Sequence, residues 1–221
     1  MNEKAVLLSI QSRWCGLIAS GKKTIEVRKT RPKIETPFKC YIYQSKSKDR
    51  LMYVMKDGDE NYGEIYHGKP VFIKTYSKYS NPYEQKVIGE FICDEICTYY
   101  PISNIDPINK PYGDDILTSS CLSSEELNDY AFSGRGYGKL YGWHISGLII
   151  YEQPKALEAF SPYCHFQSNG YCQCEDECGC KKFMFNPFGD VKDVMCCNYV
   201  SQPPQSWCYV EACNDERHIS F

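Results

Sequence analysis

A mixed α+β domain with a β-barrel-like core is the fold class predicted by this 221-residue sequence. Three observations lead there. Short apolar runs, several alternating with a period of two, recur along the chain between turn residues, as half-buried strands require. Helical spacing marks only two short segments, near 11–19 and 123–132. Strands do not alternate with helices as a doubly wound parallel sheet would demand. The length suits one domain over 1–221, with elaborations at 46–85 and 160–200. Hydrophobic residues at 43% and charged residues at 24% exclude global disorder. Apolar runs such as Ala5-Val6-Leu7-Leu8 are too short to span a bilayer, so no membrane partner is expected. No leader pattern opens the chain, and the expected location is the reducing cytoplasm.

The elements follow in order. Ala5 to Ile10 is an apolar strand. Gln11 to Ala19 carries Trp14, Cys15, Leu17 and Ile18 at helical spacing and stops before Gly21. From Thr24 the period becomes two: Thr24, Glu26 and Arg28 point one way, Ile25 and Val27 the other. Phe38 to Tyr43 alternates again. Residues 46–62 are polar and read as a loop or insertion. Glu64 to Tyr66 and Val71 to Tyr76 flank His67-Gly68-Lys69-Pro70 and predict a hairpin. Val87 to Cys97 reads as one long strand broken near Gly89. Residues 101–120 are a Pro- and Gly-punctuated connection. Ser123-Ser124-Glu125-Glu126 opens a helix ending near Phe132. Tyr141 to Tyr151 is a strand stopped by Pro154. Pro203-Pro204-Gln205-Ser206 leads into the final strand, Trp207 to Val210.

Charge is unevenly spread. Residues 1–50 hold 12 Lys/Arg against 4 Asp/Glu, a net of +8, while residues 51–221 hold 13 against 24, a net of −11. The asymmetry points to an anionic partner for the first part, or to an ordinary solvated face. Thr24, Glu26 and Arg28 pose the same choice locally. Buried charge is costly without partners, so they either face water or line a cleft as a paired set.

Gly21, Lys23, Glu26 and Arg28 match the turn-and-strand signature of the ASCH domains, members of the PUA-like superfamily, which this chain resembles. Gly142-Trp143-His144-Ile145 and Ser206-Trp207-Cys208-Tyr209-Val210 resemble two later pieces of the same family. Thr30-Arg31-Pro32 with Pro203 to Trp207 is similar to a subgroup from Gram-positive bacteria and their phages. The resemblance covers most of 5–152 and 203–211, and leaves out 46–85 and 160–200. It implies a PUA-like β-pseudobarrel with a cleft that takes RNA or modified bases. The candidate ligand-binding residues are then Trp14, Lys23, Thr24, Glu26, Arg28, Tyr43, Trp143 and His144. Aromatic faces would stack a base, and charged groups would meet its edge or its phosphate.

Some small ASCH proteins are similar to amidohydrolases that act on N4-acetylcytidine, which would make Lys23 catalytic. Their Thr position holds Glu26 here, and an ionised carboxylate cannot donate a proton. If the protein is an enzyme, Lys23 and Glu26 are its candidates; a binding module for RNA or a modified nucleotide is the preferred reading. A phage regulatory protein that sequesters a nucleotide signal, or binds a host protein, is the third class. Gly134-Arg135-Gly136-Tyr137-Gly138 lacks the Lys and the strand–loop–helix context of a phosphate loop.

Of the 14 cysteines, Cys15, Cys40, Cys93, Cys97 and Cys121 sit among apolar neighbours and read as small buried hydrophobes. Nine follow from Cys164 onward. Cys172, Cys174, Cys178 and Cys180 place four thiols in nine residues, with Cys196 and Cys197 nearby. A short polar segment with few apolar side chains gains stability from a tetrahedral thiolate site, so structural zinc is expected, with an iron–sulfur cluster or disulfides as alternatives. Protein purified without added metal should therefore carry about one zinc per chain. Elemental analysis giving less than about a tenth of an equivalent of zinc or iron would leave disulfides or plain packing as the account.

Overall fold

The strand Lys4–Gln11 has no exposed apolar side. Val6, Leu8 and Ile10 lie on one face, Ala5 and Leu7 on the other, and all five are 2% exposed or less. A strand buried on both faces must sit inside a sheet that is itself covered on both sides, and the rest of the chain supplies those covers. The computed structural model describes residues 3–46, 50–55, 60–61, 64–65, 67, 71–75, 85–100, 114–133, 138–163, 167–168, 171–172 and 200–212.

In chain order the elements are β1 (Lys4–Gln11), α1 (Ser12–Ala19), β2 (Ile25–Arg28), β3 (Phe38–Ser45), β4 (Arg50–Met55), β5 (Glu60–Asn61), β6 (Glu64–Ile65), β7 (Val71–Thr75), β8 (Val87–Cys93), β9 (Ile96–Tyr99), α2 (Asp114–Ser120), α3 (Ser124–Phe132), β10 (Leu140–His144), β11 (Ser146–Lys155), a 3-10 turn (Leu157–Ala159), β12 (Gln167–Ser168), β13 (Tyr171–Cys172) and β14 (Trp207–Glu211). The main sheet runs β11-β8-β3-β1-β14. Its β1–β3 pair is parallel, with Val6 opposite Cys40, and the crossover it needs is made by α1 and β2. The other pairs are antiparallel, including β1 with β14, which sets Leu8 opposite Trp207. A second antiparallel sheet runs β2-β10-β9, with Trp143 opposite Glu26 and Tyr141 opposite Arg28. The chain passes from the second sheet to the main one at Ile145, whose N–H donates to the Thr24 carbonyl at 2.9 Å. The fold is α+β, dominated by two open sheets with few and short helices.

Three apolar layers hold it together. Val6, Leu8, Ile10, Phe38, Cys40, Ile42, Phe91 and Cys93 meet Cys15 and Ile18 of α1 and Trp143 of the second sheet. The opposite face of the main sheet, with Leu7, Tyr41, Tyr43 and Tyr151, is covered by Leu157, Phe160 and Val200. The outer face of the second sheet, with Val27, Tyr99 and Leu140, packs on Ile116, Leu127 and Ala131 of α2 and α3. Phe160 and Val200 also join through Val200 N–H donating to the Phe160 carbonyl at 2.7 Å, so the two ends of the 160–200 stretch lie side by side.

Several expected boundaries move. The strand read across 87–97 turns at Asp94-Glu95 into β8 and β9, which belong to different sheets. β8 runs on through Gly89, but its register on both β3 and β11 shifts between Val87 and Gly89; a Cβ at Gly89 would stand 2.3 Å from the Ile149 carbonyl oxygen, so glycine permits close approach to β11. Pro154 stays inside β11, an edge strand whose register is irregular between Ile150 and Lys155, where a proline is tolerated. Part of the expected connection 101–120 is the helix α2, because Ile116 is fully buried against the second sheet. The hairpin expected from 64–66 and 71–76 pairs differently: β7 joins β4, and β6 joins β5. Cys15, Cys40 and Cys93 are buried as expected, whereas Cys97 and Cys121 are only partly covered. The capping box at α3 forms, with the Ser123 hydroxyl accepting from Glu126 N–H at 3.1 Å and the Glu126 carboxylate accepting from Ser123 N–H at 2.9 Å. No helix among the described residues is long and apolar enough to cross a membrane.

Trp143 is fully buried and bridges the two sheets, edge-on to Phe38 at 5.9 Å and tilted against Trp207 at 6.1 Å. Trp143→Ala should cost about 3–5 kcal/mol, read as a shift of the denaturant midpoint. A loss below about 1 kcal/mol would show that the sheets do not depend on this ring.

Candidate functional site

The site grows from the period of β2. Val27 is committed to the layer beneath α2 and α3, with Ile25 packed against it, so Glu26 and Arg28 must turn the other way. They do not reach water. Lys23 is 2% exposed, Glu26 6% and Arg28 7%, which selects the paired set over the solvated row. Gly21, at φ +70°, reverses the chain after α1, where left-handed backbone suits glycine. The N–H groups of Lys22 and Lys23 then close onto the Leu17 carbonyl at 2.9 and 3.0 Å, turning the Lys23 side chain inward.

Glu26 holds two cations. The Lys23 ammonium is 3.4 Å from its Oε2, and the Arg28 Nε is 3.0 Å from its Oε1. The Arg28 Nε–H is not aimed at an acceptor, so that contact is coulombic rather than a hydrogen bond. Lys23 also donates to the Ser120 carbonyl at 2.9 Å. Arg28 Nη2 donates to the Ser9 carbonyl at 2.8 Å, and Nη1 points to the Ser206 carbonyl and hydroxyl at 3.4 and 3.3 Å. Burial pulls the Lys23 ammonium below the ordinary lysine value, and Glu26 only partly opposes it.

Lys23, Glu26 and Arg28 floor a cavity of about 590 Å³. The strap Pro203 to Ser206 forms one wall and Trp14 with the start of α1 another, facing Glu126, Asp129 and Tyr130 of α3. The strap is fixed by Ser9, whose hydroxyl donates to the Pro204 carbonyl at 2.6 Å and whose N–H donates to the Ser206 carbonyl at 2.9 Å. At the mouth Arg13 pairs with Glu126 at 3.0 Å and lies over the Trp14 ring at 4.3 Å, while Lys23 stands 5.2 Å from the same ring centre. Arg13 is exposed, so this stacked cation sits on the Trp14 ring from the solvent side of the fold.

Four expected residues therefore line one pocket: Trp14, Lys23, Glu26 and Arg28. Four do not. Tyr43 faces the layer on the far side of the main sheet, because β3 gives its other face to Cys40 and Ile42. Trp143 is spent on the core between the sheets. Thr24 contributes backbone bonds to Ser119 and Ile145 at the turn, one residue before β2 begins. His144 emerges at the strand end, where its Nδ1 sits 2.6 Å from Asp94 in an exposed pair. Ser9, Ser206, Glu126 and Tyr130 are pocket residues that local periodicity does not reveal, since β1–β14 pairing and helix docking bring them in. The metal candidates Cys174, Cys178, Cys180, Cys196 and Cys197 lie outside the described residues, and Cys172 is described only as part of β13. Among the described residues no group of three or more His, Cys, Asp or Glu is placed to hold a metal.

No family model matches the chain, and no curated protein matches it. Among solved structures it is similar to the crystal structure of ASCH from Zymomonas mobilis, at 15% identity over 68% of this chain and 69% of that one, with a TM-score of 0.36. A mutant form of the same protein aligns at 16% identity over 69% of this chain and 73% of that one, with a TM-score of 0.34. An overlap this loose carries no functional argument.

The hydrogen bond from His144 holds the Asp94 carboxyl below its ordinary value of 3.8. His144→Ala should let the Asp94 value rise back toward 3.8 in an NMR titration and leave ligand affinity unchanged. A loss of affinity in His144→Ala would place that residue in the site after all.

Proposed function

We propose that this protein is a binding module for a nucleotide, presented in RNA or as a free modified nucleotide, in the pocket floored by Lys23, Glu26 and Arg28. The closed, buried Lys23–Glu26–Arg28 set carries the reading. It is a rigid, charge-bearing floor beneath a cavity with one aromatic wall, which suits a planar ligand with polar edges. The resemblance of Gly21 to Arg28 to the ASCH motif and the basic N-terminal part support it. Sequestering a nucleotide signal would use the same pocket.

A second reading, hydrolysis of a modified cytidine of the N4-acetyl type, is favoured by one observation: burial lowers the Lys23 value in the direction a base or nucleophile needs. Against it, Lys23 is engaged by Ser120 and Glu26, and Thr24 is not among the pocket-lining residues. A screen of modified nucleosides and short RNAs for both binding and turnover separates the two. Arg28→Ala and Lys23→Ala should each cost about 1.5–3 kcal/mol of binding, roughly ten- to a hundredfold, in folded protein. Unchanged affinity in both would remove the pocket assignment. Acetate release from N4-acetylcytidine that disappears in Lys23→Ala would put the hydrolase first.

A further inference from the structure

The buried charge on the pocket floor does not balance. Two cations, Lys23 and Arg28, face one carboxylate, Glu26, and all three are less than a tenth exposed. The acidic groups of α3 do not supply the missing charge. Glu126 is committed to the Ser123 N–H and to Arg13, and Asp129 stands in water. An unbalanced buried cation is expensive unless a counter-charge arrives, and the cavity lies directly against these two side chains. Arg28 also keeps a buried Nε–H without an acceptor.

We propose that the ligand carries an oxyanion that docks on the pocket side of Lys23 and Arg28 and neutralises the floor. For the nucleotide reading, on which this rests, the oxyanion is a phosphate, either the terminal monoester of a mononucleotide or a phosphodiester of RNA. The pocket then selects its ligand by charge as well as by ring shape.

The geometry makes binding depend on pH. The titratable and charged groups facing Lys23 are Glu26 and Arg28 on β2, Cys121 after α2, Glu126, Asp129 and Tyr130 on α3, and Arg13 at the mouth. Burial lowers the Lys23 value in the free protein, and a bound anion raises it again. Once a phosphate monoester is fully ionised, above its second pKa of about 6, affinity is full while Lys23 is charged in the free protein and falls as pH climbs from that lowered value toward the value in the complex. A neutral nucleoside has no such slope.

Calorimetric titration of the intact protein with inorganic phosphate, the four common ribonucleosides, their 5′-monophosphates and a short RNA lacking terminal phosphates tests this. A monophosphate should bind about ten- to a hundredfold tighter than its nucleoside, with the advantage shrinking as pH rises. Lys23→Met should bring the ratio near one and flatten the slope. Should that variant not fold, the ratio and slope in the unmodified protein decide. RNA binding that matches the monophosphate assigns the site to a phosphodiester; weaker RNA binding assigns it to the monoester. Equal affinity for nucleoside and monophosphate overturns the oxyanion and leaves the nucleotide pocket standing. Phosphate binding as tight as any monophosphate keeps the oxyanion and overturns the nucleotide reading. No binding by phosphate, any monophosphate or the RNA overturns the proposal.

Discussion

Everything near the pocket is arranged around one buried carboxylate. Glu26 is 6% exposed, and burying a charge there is costly without partners. It stays tolerable because Lys23 arrives from the Gly21 turn and Arg28 from the same strand, each placing a cation within 3.4 Å. Removing one member of such a set strands the others, so the three residues, the turn and the strand face form one unit. Arg28 extends that unit, because its guanidinium also ties β2 to Ser9 of β1 and to Ser206 just before β14.

The main sheet provides the frame for this unit. β1 is parallel to β3 and antiparallel to β14, and α1 with β2 makes the crossover that a parallel pair requires. That crossover puts Trp14 and Lys23 on the same side of the sheet. β2 leaves the main sheet and pairs with β10 instead, which lets its polar face look back at β1 across the cavity. The Trp143 ring packs in the core between the two sheets, away from the cavity lining.

Period two along 24–28 is a local property, so the separation of Glu26 and Arg28 from Ile25 and Val27 was visible in the sequence. Whether that polar face met water or protein was not visible, because it depends on which strands pair. Tyr43 and Trp143 show the same limit. Both are aromatic on regular strands, and sequence cannot tell which layer each strand offers to which neighbour. α2 was hidden by the Pro- and Gly-rich residues before it, although Ile116 and Leu117 supply apolar side chains at its centre. The capping box at Ser123 was legible because it is a contact within four residues.

The wall Pro203 to Ser206 reaches the floor from 178 residues away, through the Arg28–Ser206 contact. Its partners Ser9 and Arg28 are made long before it, and they wait for residues 203–206 before the strap closes over them. A nascent chain therefore carries Lys23, Glu26 and Arg28 with one side of their enclosure missing until the segment through residue 206 has been synthesised. Completion of the pocket wall and of the main-sheet edge therefore await the same segment, because the strap leads directly into β14.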